Sequence, residues 1–301
     1  MHTPVLFLVF NRPEQTMQVL EQIRQQRPQY FYIAADGPRG NRPGEAQQCA
    51  ITREQVLKGI DWPCQVRTLF REENLGCGKA VSSAIDWFFS QVEEGIILED
   101  DCIPAPGFFS FCTRLLEHYR HDTSVMHING SNYQAGIQRG EASYYFSRYS
   151  HIWGWATWKR AWQRYDFTLL HYRNASREGM NEKLLQDVQA IYDHAIDTWD
   201  IQWFMTVWFN KGLAVTPNVC LVRNIGYGKD ATHTRHMPGW FRKIVYGDLE
   251  QITHPAVKAI NRAADDYTEE TIFGGNKLLG KVKRIVKENK LLYHLYKRIY
   301  S

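Results

Sequence analysis

The sequence lacks the usual signs of a metal held by sulfur or imidazole. Its six cysteines, Cys49, Cys64, Cys77, Cys102, Cys112 and Cys220, include no C-x-x-C pair, and no histidine cluster accompanies them. Free thiols in a reducing cytosol are expected rather than a disulfide framework. No apolar run approaches the roughly 18–20 residues of a membrane span. The stretch Met1-His2-Thr3-Pro4-Val5 lacks a basic region followed by a long apolar core, so no signal peptide is expected. There is no internal repeat and no low-complexity tract. The loop Asn74-Leu75-Gly76-Cys77-Gly78-Lys79 contains glycine but not the Walker spacing, which argues against a nucleotide-hydrolysing site of that kind. Acidic residues are almost missing from the last 25 residues. Eight lysines and arginines there face Glu288 alone, giving +7, so the other 276 residues carry −3 of the net +4. The basic character belongs to the tail, and a nucleic-acid role for the whole chain is poorly supported.

What is present suits a globular protein. The 301 residues are 44% hydrophobic and 23% charged, ordinary for a packed domain, but the 14% aromatic content is high. Aromatic faces serve both carbohydrate binding and core packing, and composition does not separate the two. Strands are predicted over 5–10, 30–35, 66–70, 96–98 and 125–128, with helices near 13–25, 44–60, 79–87 and 106–119 between them. Asn11 is a candidate cap for the first helix, with Pro13 in its first turn and Glu14 at capping-box spacing. This alternation predicts a doubly wound parallel sheet, whose ligands sit beyond the carboxyl ends of the strands.

Three carboxylates, Glu99, Asp100 and Asp101, follow directly on the apolar run Ile96-Ile97-Leu98. Adjacent carboxylates repel, and hard oxygen ligands suit Mg²⁺ or Mn²⁺. A solvated acidic turn is the competing reading. Arg12 stands at the first strand-to-helix turn, where an anionic or polar ligand would meet it. Asp36 ends the second strand, and on its own reads as a turn aspartate.

The second half is aromatic. Trp153-Gly154-Trp155 is followed by Trp158 and Trp162, whose spacing of four predicts one aromatic helical face. A polar helix is predicted near 181–196. Asp200 lies among tryptophans, between Trp199 and Trp203. Such surroundings can raise a carboxyl pKa toward that of a general base, although Asp200 also reads as a helix N-cap. A late strand is predicted over 213–219. The segment 224–236, with Gly228, Thr232 and His233, has the composition of a binding loop. In the tail, apolar and basic residues segregate at helical spacing, which fits either an anionic membrane surface or packing on the protein itself.

These motifs, in this order over roughly 4–236, resemble the nucleotide-diphospho-sugar glycosyltransferases of the GT-A fold. The likeness is nearest to N-acetylglucosaminyltransferase I and its bacterial polysaccharide-cluster relatives. The resemblance implies a Rossmann-like α/β fold with a mostly parallel central sheet. On this reading the chain divides into a nucleotide-sugar half over 1–135 and an acceptor and catalytic half over 136–245; a helical extension over 246–301 is expected beyond the resemblance. It implies Arg12, Asp36, Lys79, Glu99, Asp100, Thr232 and His233 at the donor, and Asp101 as direct ligand of Mn²⁺ or Mg²⁺. Trp153, Gly154, Trp155 and Trp199 would shape the sugar pocket, with Asp200 as base. The expected activity is inverting transfer from a UDP-linked sugar to a hydroxyl of a glycan or lipid-linked glycan in surface-polysaccharide synthesis. The expected setting is cytoplasmic, peripheral to the membrane. Two departures from the family pattern are Ser83, where a histidine is usual, and Ile201, where a second aspartate is usual. A sugar-nucleotide nucleotidyltransferase and a non-catalytic sugar-binding protein are the alternatives. The first usually carries a glycine-rich basic first loop, which Asn11-Arg12-Pro13 is not, and the second needs no base.

Overall fold

A computed structural model describes residues 1–227 and 238–274. The expectations for Thr232, His233 and the basic tail fall outside the described residues.

The first half follows the predicted alternation. It runs β1 Val5–Val9, α1 Pro13–Gln26, β2 Tyr30–Ala35, α2 Glu45–Lys58, β3 Gln65–Phe70, α3 Cys77–Phe89 and β4 Glu94–Glu99. Next come β5 Cys102–Pro104, α4 Pro106–His118 and β6 Val125–Asn129. The second half holds β7 Tyr144–Ser147, β8 Trp155–Trp158, α5 Lys159–Trp162, α6 Glu182–Tyr192, α7 Asp200–Phe209, β9 Leu213–Pro217, β10 Val222–Asn224 and α8 Arg262–Thr268.

Eight strands form one mixed sheet in the order β3-β2-β1-β4-β8-β6-β9-β7, and β5 pairs with β10 beside it. β3, β2, β1 and β4 are mutually parallel. In β1, β2 and β4 the side chains alternate between two cores, as a strand buried on both faces requires, whereas the edge strand β3 is largely exposed. Val5, Phe7 and Val9 of β1 face one core with α1, α2 and α4. Leu6 and Leu8 face the other, with α3, Trp199 and Trp203. α1 begins on Pro13, whose fixed φ suits the first helical position, and buries Thr16, Val19, Leu20 and Ile23 along one face.

Three local expectations differ from the structure. Asn11 does not cap α1; its amide donates instead to Glu45 Oε1 at 3.0 Å, and Arg12 holds the cap position. β6 is not the next parallel neighbour of β4, because β8 inserts between them, antiparallel to both. The residues of β8, Trp155-Ala156-Thr157-Trp158, therefore alternate as a strand, with Trp155 in one core and Trp158 in the other. Trp158 and Trp162 consequently share no helical face. All six cysteines are free, and among the described residues no helix is long and apolar enough to cross a membrane.

Candidate functional site

The carboxyl ends of the four parallel strands carry charges of alternating sign. Along the sheet they run Arg71 after β3, Asp36 after β2, Arg12 after β1, and Glu99-Asp100-Asp101 at the end of β4. All of them line a single cavity of about 900 Å³. Its far wall is built by Asp197, Thr198, Trp199, Asp200 and Ile201 at the start of α7, and by Lys183 of α6. Ile152, Trp153, Asn224, Gly226 and Tyr227 close one side.

Arg12 is the counter-ion of the acidic strand end. Its Nη1 lies 3.0 Å from Asp101 Oδ2 and 3.7 Å from Asp100 Oδ1, with Arg12 and Asp101 each 16% exposed. Asp100 also accepts from the Phe10 N–H at 3.2 Å. Asp101 Oδ1 accepts weakly from Asn224 Nδ2 at 3.4 Å. The chain of Gly226 passes so near Asp101 that a Cβ there would lie 1.9 Å from Oδ2, so only glycine fits. Glu99 Oε1 is sealed from solvent and has no hydrogen-bond partner. Burial first, then the charges of Asp101, Asp100 and Asp200, push the Glu99 carboxyl well above its ordinary range. Burial, with Asp101 beside it, raises Asp100 to about 7.

Asp36 is held by the next loop. It accepts from the Leu75 N–H at 3.0 Å and from Asn74 Nδ2 at 2.9 Å, and burial raises its carboxyl. Arg53 of α2 ties the ends of β2 and β3 together by donating to the carbonyls of Asp36 and Arg71. Arg71 then donates from Nη2 to Ser83 Oγ at 2.7 Å. A basic side chain is thus anchored on Ser83 of α3.

Asp200 is the first residue of α7 rather than its cap, which is Trp199. Thr198 Oγ1 donates to Asp200 Oδ1. Cys77 stands between the two walls. Its thiol is pushed up to about 12 by burial and by the charges of Glu99, Asp200, Asp197 and Asp36, so it stays neutral.

Of the residues singled out in the sequence, Arg12, Asp36, Glu99, Asp100, Asp101, Trp153, Trp199 and Asp200 meet at this cavity. Lys79 does not line it and is exposed on α3. Gly154 is buried at φ 60°, packed against Val222 and Leu98. Trp155 is a correction. It is fully buried, stacked between His127 (5.0 Å) and Trp199 (5.8 Å), one layer behind the cavity wall. The inward-facing register of β8 puts it there. Arg39, Arg71, Lys183, Asp197 and Tyr227 also line the cavity and escaped sequence reading. For Arg71 a signal existed, its place just after a strand, but no motif marks the others.

Among the described residues, no three His, Cys, Asp or Glu side chains converge as a metal cage. The donor set nevertheless fits a divalent cation of the Mg²⁺ or Mn²⁺ kind. Six carboxylates line the cavity (Asp36, Glu99, Asp100, Asp101, Asp197, Asp200) against four cationic side chains. Three of those cations, Arg12, Arg39 and Lys183, are already paired with acids. Such ions commonly take one or two carboxylates and complete their shell with phosphate oxygens and water. An anionic phosphate ligand would meet net negative charge here without one.

No protein-family model matches the chain, and no curated protein sequence does. Among solved structures, a UDP-glucose pyrophosphorylase complexed with UDP-glucose is 10% identical with a TM-score of 0.40, over 72% of this chain and 90% of that one. An apo UDP-glucose pyrophosphorylase is 9% identical with a TM-score of 0.39, over 81% and 97%. A cytidylyltransferase from Leptospira borgpetersenii serovar Hardjo-bovis is 10% identical with a TM-score of 0.35, over 55% of this chain. The match spans 64% of the cytidylyltransferase, less than two thirds of its length. At these scores the likenesses carry no argument about chemistry.

Proposed function

We propose that this chain is a metal-dependent, inverting glycosyltransferase acting on a nucleotide-diphospho-sugar. The observation that carries the reading is the facing of two acidic sets across one cavity. Glu99-Asp100-Asp101 lie at the sheet's carboxyl edge, and Asp200 opposes them near enough for its charge to raise Glu99.

Asp36, with Asn74 and Arg71 beside it, takes the nucleobase end of the donor. Arg12, at the middle strand, meets the diphosphate. Asp101 holds the divalent ion, which when bound neutralises the diphosphate and stabilises it as leaving group. Glu99 and Asp100 serve the sugar and ribose hydroxyls. Trp153, half-buried on the cavity wall, offers an apolar face to a pyranose ring, with buried Trp199 at the edge of the cavity. Asp200 accepts the proton from an acceptor hydroxyl as that oxygen attacks the anomeric carbon and the bond from that carbon to the β-phosphate oxygen breaks. Attack opposite the leaving group inverts the anomeric centre, and positive charge develops on the ring as in glycoside chemistry. The acceptor class is a hydroxyl of a glycan or lipid-linked glycan, and UDP-hexoses are the first donors to try.

A thermal-shift panel of nucleotide sugars with Mn²⁺ identifies the donor, because a ligand that binds only the folded state raises apparent stability. With that donor, Asp200→Asn is expected to lower transfer by about 10²–10⁴-fold while leaving donor binding intact. Near-normal transfer by Asp200→Asn removes the base assignment. Normal metal and donor binding by Asp101→Ala removes the metal assignment.

A further inference from the structure

The loop that opens α3 has glycine on either side of Cys77, which lines the cavity. Gly76 is the N-cap of the helix, stands at φ 79°, and brings no side chain to the first free amides. A carboxylate from the other half of the chain supplies what is missing. Asp197 Oδ1 accepts from the Gly78 N–H at 2.9 Å, across 119 residues of sequence. Both glycines are needed for that approach. A Cβ on Gly76 would lie 2.5 Å from Asp197 Oδ2, and one on Gly78 would lie 2.6 Å from Asp197 Oδ1 and 2.8 Å from the Thr198 carbonyl. Asp197 is itself exposed at the cavity rim, so burial does not fix it; the bond and the close contact do.

From Asp197 the chain runs directly into the proposed base. Thr198 donates its hydroxyl to Asp200, and its carbonyl accepts from Gln202 Nε2 at 2.8 Å. Trp199 between them is buried, and its carbonyl accepts from Tyr165 Oη at 3.2 Å. Among the described residues, the hydrogen bond from this segment to the loop 76–78 is that of Gly78 with Asp197, beside the packing of Trp199 in the core that also takes Cys77 and α3.

We propose that Asp197 is a positioning residue: by closing the N-terminus of α3 it fixes the segment 197–200 against the donor half, and so fixes where Asp200 stands over the cavity. The inference rests on Asp200 being the base. It also gives the positive end of the α3 dipole to a side-chain carboxylate rather than to a donor phosphate. The glycine loop is then an anchor for the catalytic segment, not a phosphate cradle. Geometry set in this way matters because small misplacement of a catalytic group costs orders of magnitude in rate.

The test compares wild type, Asp197→Ala and Asp197→Asn with Mn²⁺, UDP-glucose or UDP-N-acetylglucosamine as donor, and methyl glucoside as acceptor. Transfer, donor hydrolysis and amide hydrogen exchange are read. Asp197→Ala is expected to lower kcat for transfer about 10–100-fold with donor KM within about threefold. Hydrolysis by freely placed water falls less, so the ratio of hydrolysis to transfer rises. Asp197→Asn, whose amide oxygen accepts the same bond, recovers most of the transfer rate. Gly78→Ala pushes on the same contact and reproduces the alanine phenotype, and the double variant is no worse than the poorer single one. Exchange at 76–80 and at 197–202 speeds up together in Asp197→Ala. An unchanged hydrolysis-to-transfer ratio, no recovery in Asp197→Asn, or unaltered protection at 197–202 overturns the proposal. If the wild type acts on no nucleotide sugar, the reaction assignment falls, and the exchange result still decides whether Asp197 holds this segment.

Discussion

Arg12 Nη1 lies 3.0 Å from Asp101 Oδ2, joining the end of the first strand to the acidic end of the fourth. The pair is mostly shielded from water, and Asp100 shares the same guanidinium at 3.7 Å. Removing one partner of such a pair leaves uncompensated charge, which costs about 3–5 kcal/mol when fully buried and less at this exposure. Arg12→Gln is therefore expected to lower Tm by several degrees, with Mn²⁺ restoring part of the loss. Equal melting of Arg12→Gln and wild type in chelator would contradict the counter-ion role.

Glu99 presents the opposite case. Its sealed Oε1 has no partner, and three other carboxylates act on it. Glu99→Gln removes the repulsion and is expected to stabilise the metal-free protein by roughly 1 kcal/mol while weakening catalysis, as functional sites often trade stability for activity. Calorimetry in chelator checks it, and a destabilised Glu99→Gln would show that the carboxylate is structurally satisfied after all.

The two tryptophans flanking Gly154 separate core from cavity. Trp155 is fully buried, whereas Trp153 is half-buried on the cavity wall. Trp155→Ala is expected to cost about 3–5 kcal/mol of stability. Trp153→Ala should cost less and raise KM for donor or acceptor. Denaturant titration alongside kinetics distinguishes them, and the reverse pattern would put the sugar pocket one layer deeper.

Acid should loosen the fold through His127. Its Nδ1 accepts from Trp203 Nε1 at 3.0 Å, its Nε2 donates to the His151 carbonyl at 2.9 Å, and burial lowers it to about 4. An imidazole with a depressed pKa adds stability above its unfolded value near 6.5 and loses it as pH falls toward about 4. The expected contribution is roughly 3 kcal/mol, lost between pH 6.5 and 4. His151, lowered by burial to about 3, acts in the same direction. Tm followed against pH, with an imidazole NMR titration, checks this; a His127 resonance titrating near pH 6.5 in the folded protein would refute it.

The parallel half of the sheet was legible because β1, β2 and the Ile96-Ile97-Leu98 stretch of β4 are apolar runs bounded by turn residues, and because Pro13 and Pro106 mark helix starts. Of the charged residues that line the cavity, Arg12, Glu99, Asp100 and Asp101 stand out by following strands and Asp200 by its tryptophan neighbours, whereas Asp36 reads locally as a turn aspartate and stands out only through the family resemblance. The antiparallel strand β8 was not recognised. Trp153, Trp155, Trp158 and Trp162 satisfy both a two-residue and a four-residue spacing, and only pairing with β4, about sixty residues away, decides between them. Asn11 looked like a cap because the local pattern cannot show that Glu45 competes for its amide. Asp197 stayed silent for the same reason: its partner is Gly78, and no local pattern in the sequence links them.

The most direct test of the central claim is the identity of the nucleotide released when the protein is incubated with Mn²⁺ and a UDP-sugar, with and without pyrophosphate. Glycosyl transfer, or its leakage to water, predicts UDP in both mixtures, lost in Asp101→Ala and strongly reduced in Asp200→Asn. UTP formed only when pyrophosphate is present would contradict the account and make the protein a nucleotidyltransferase.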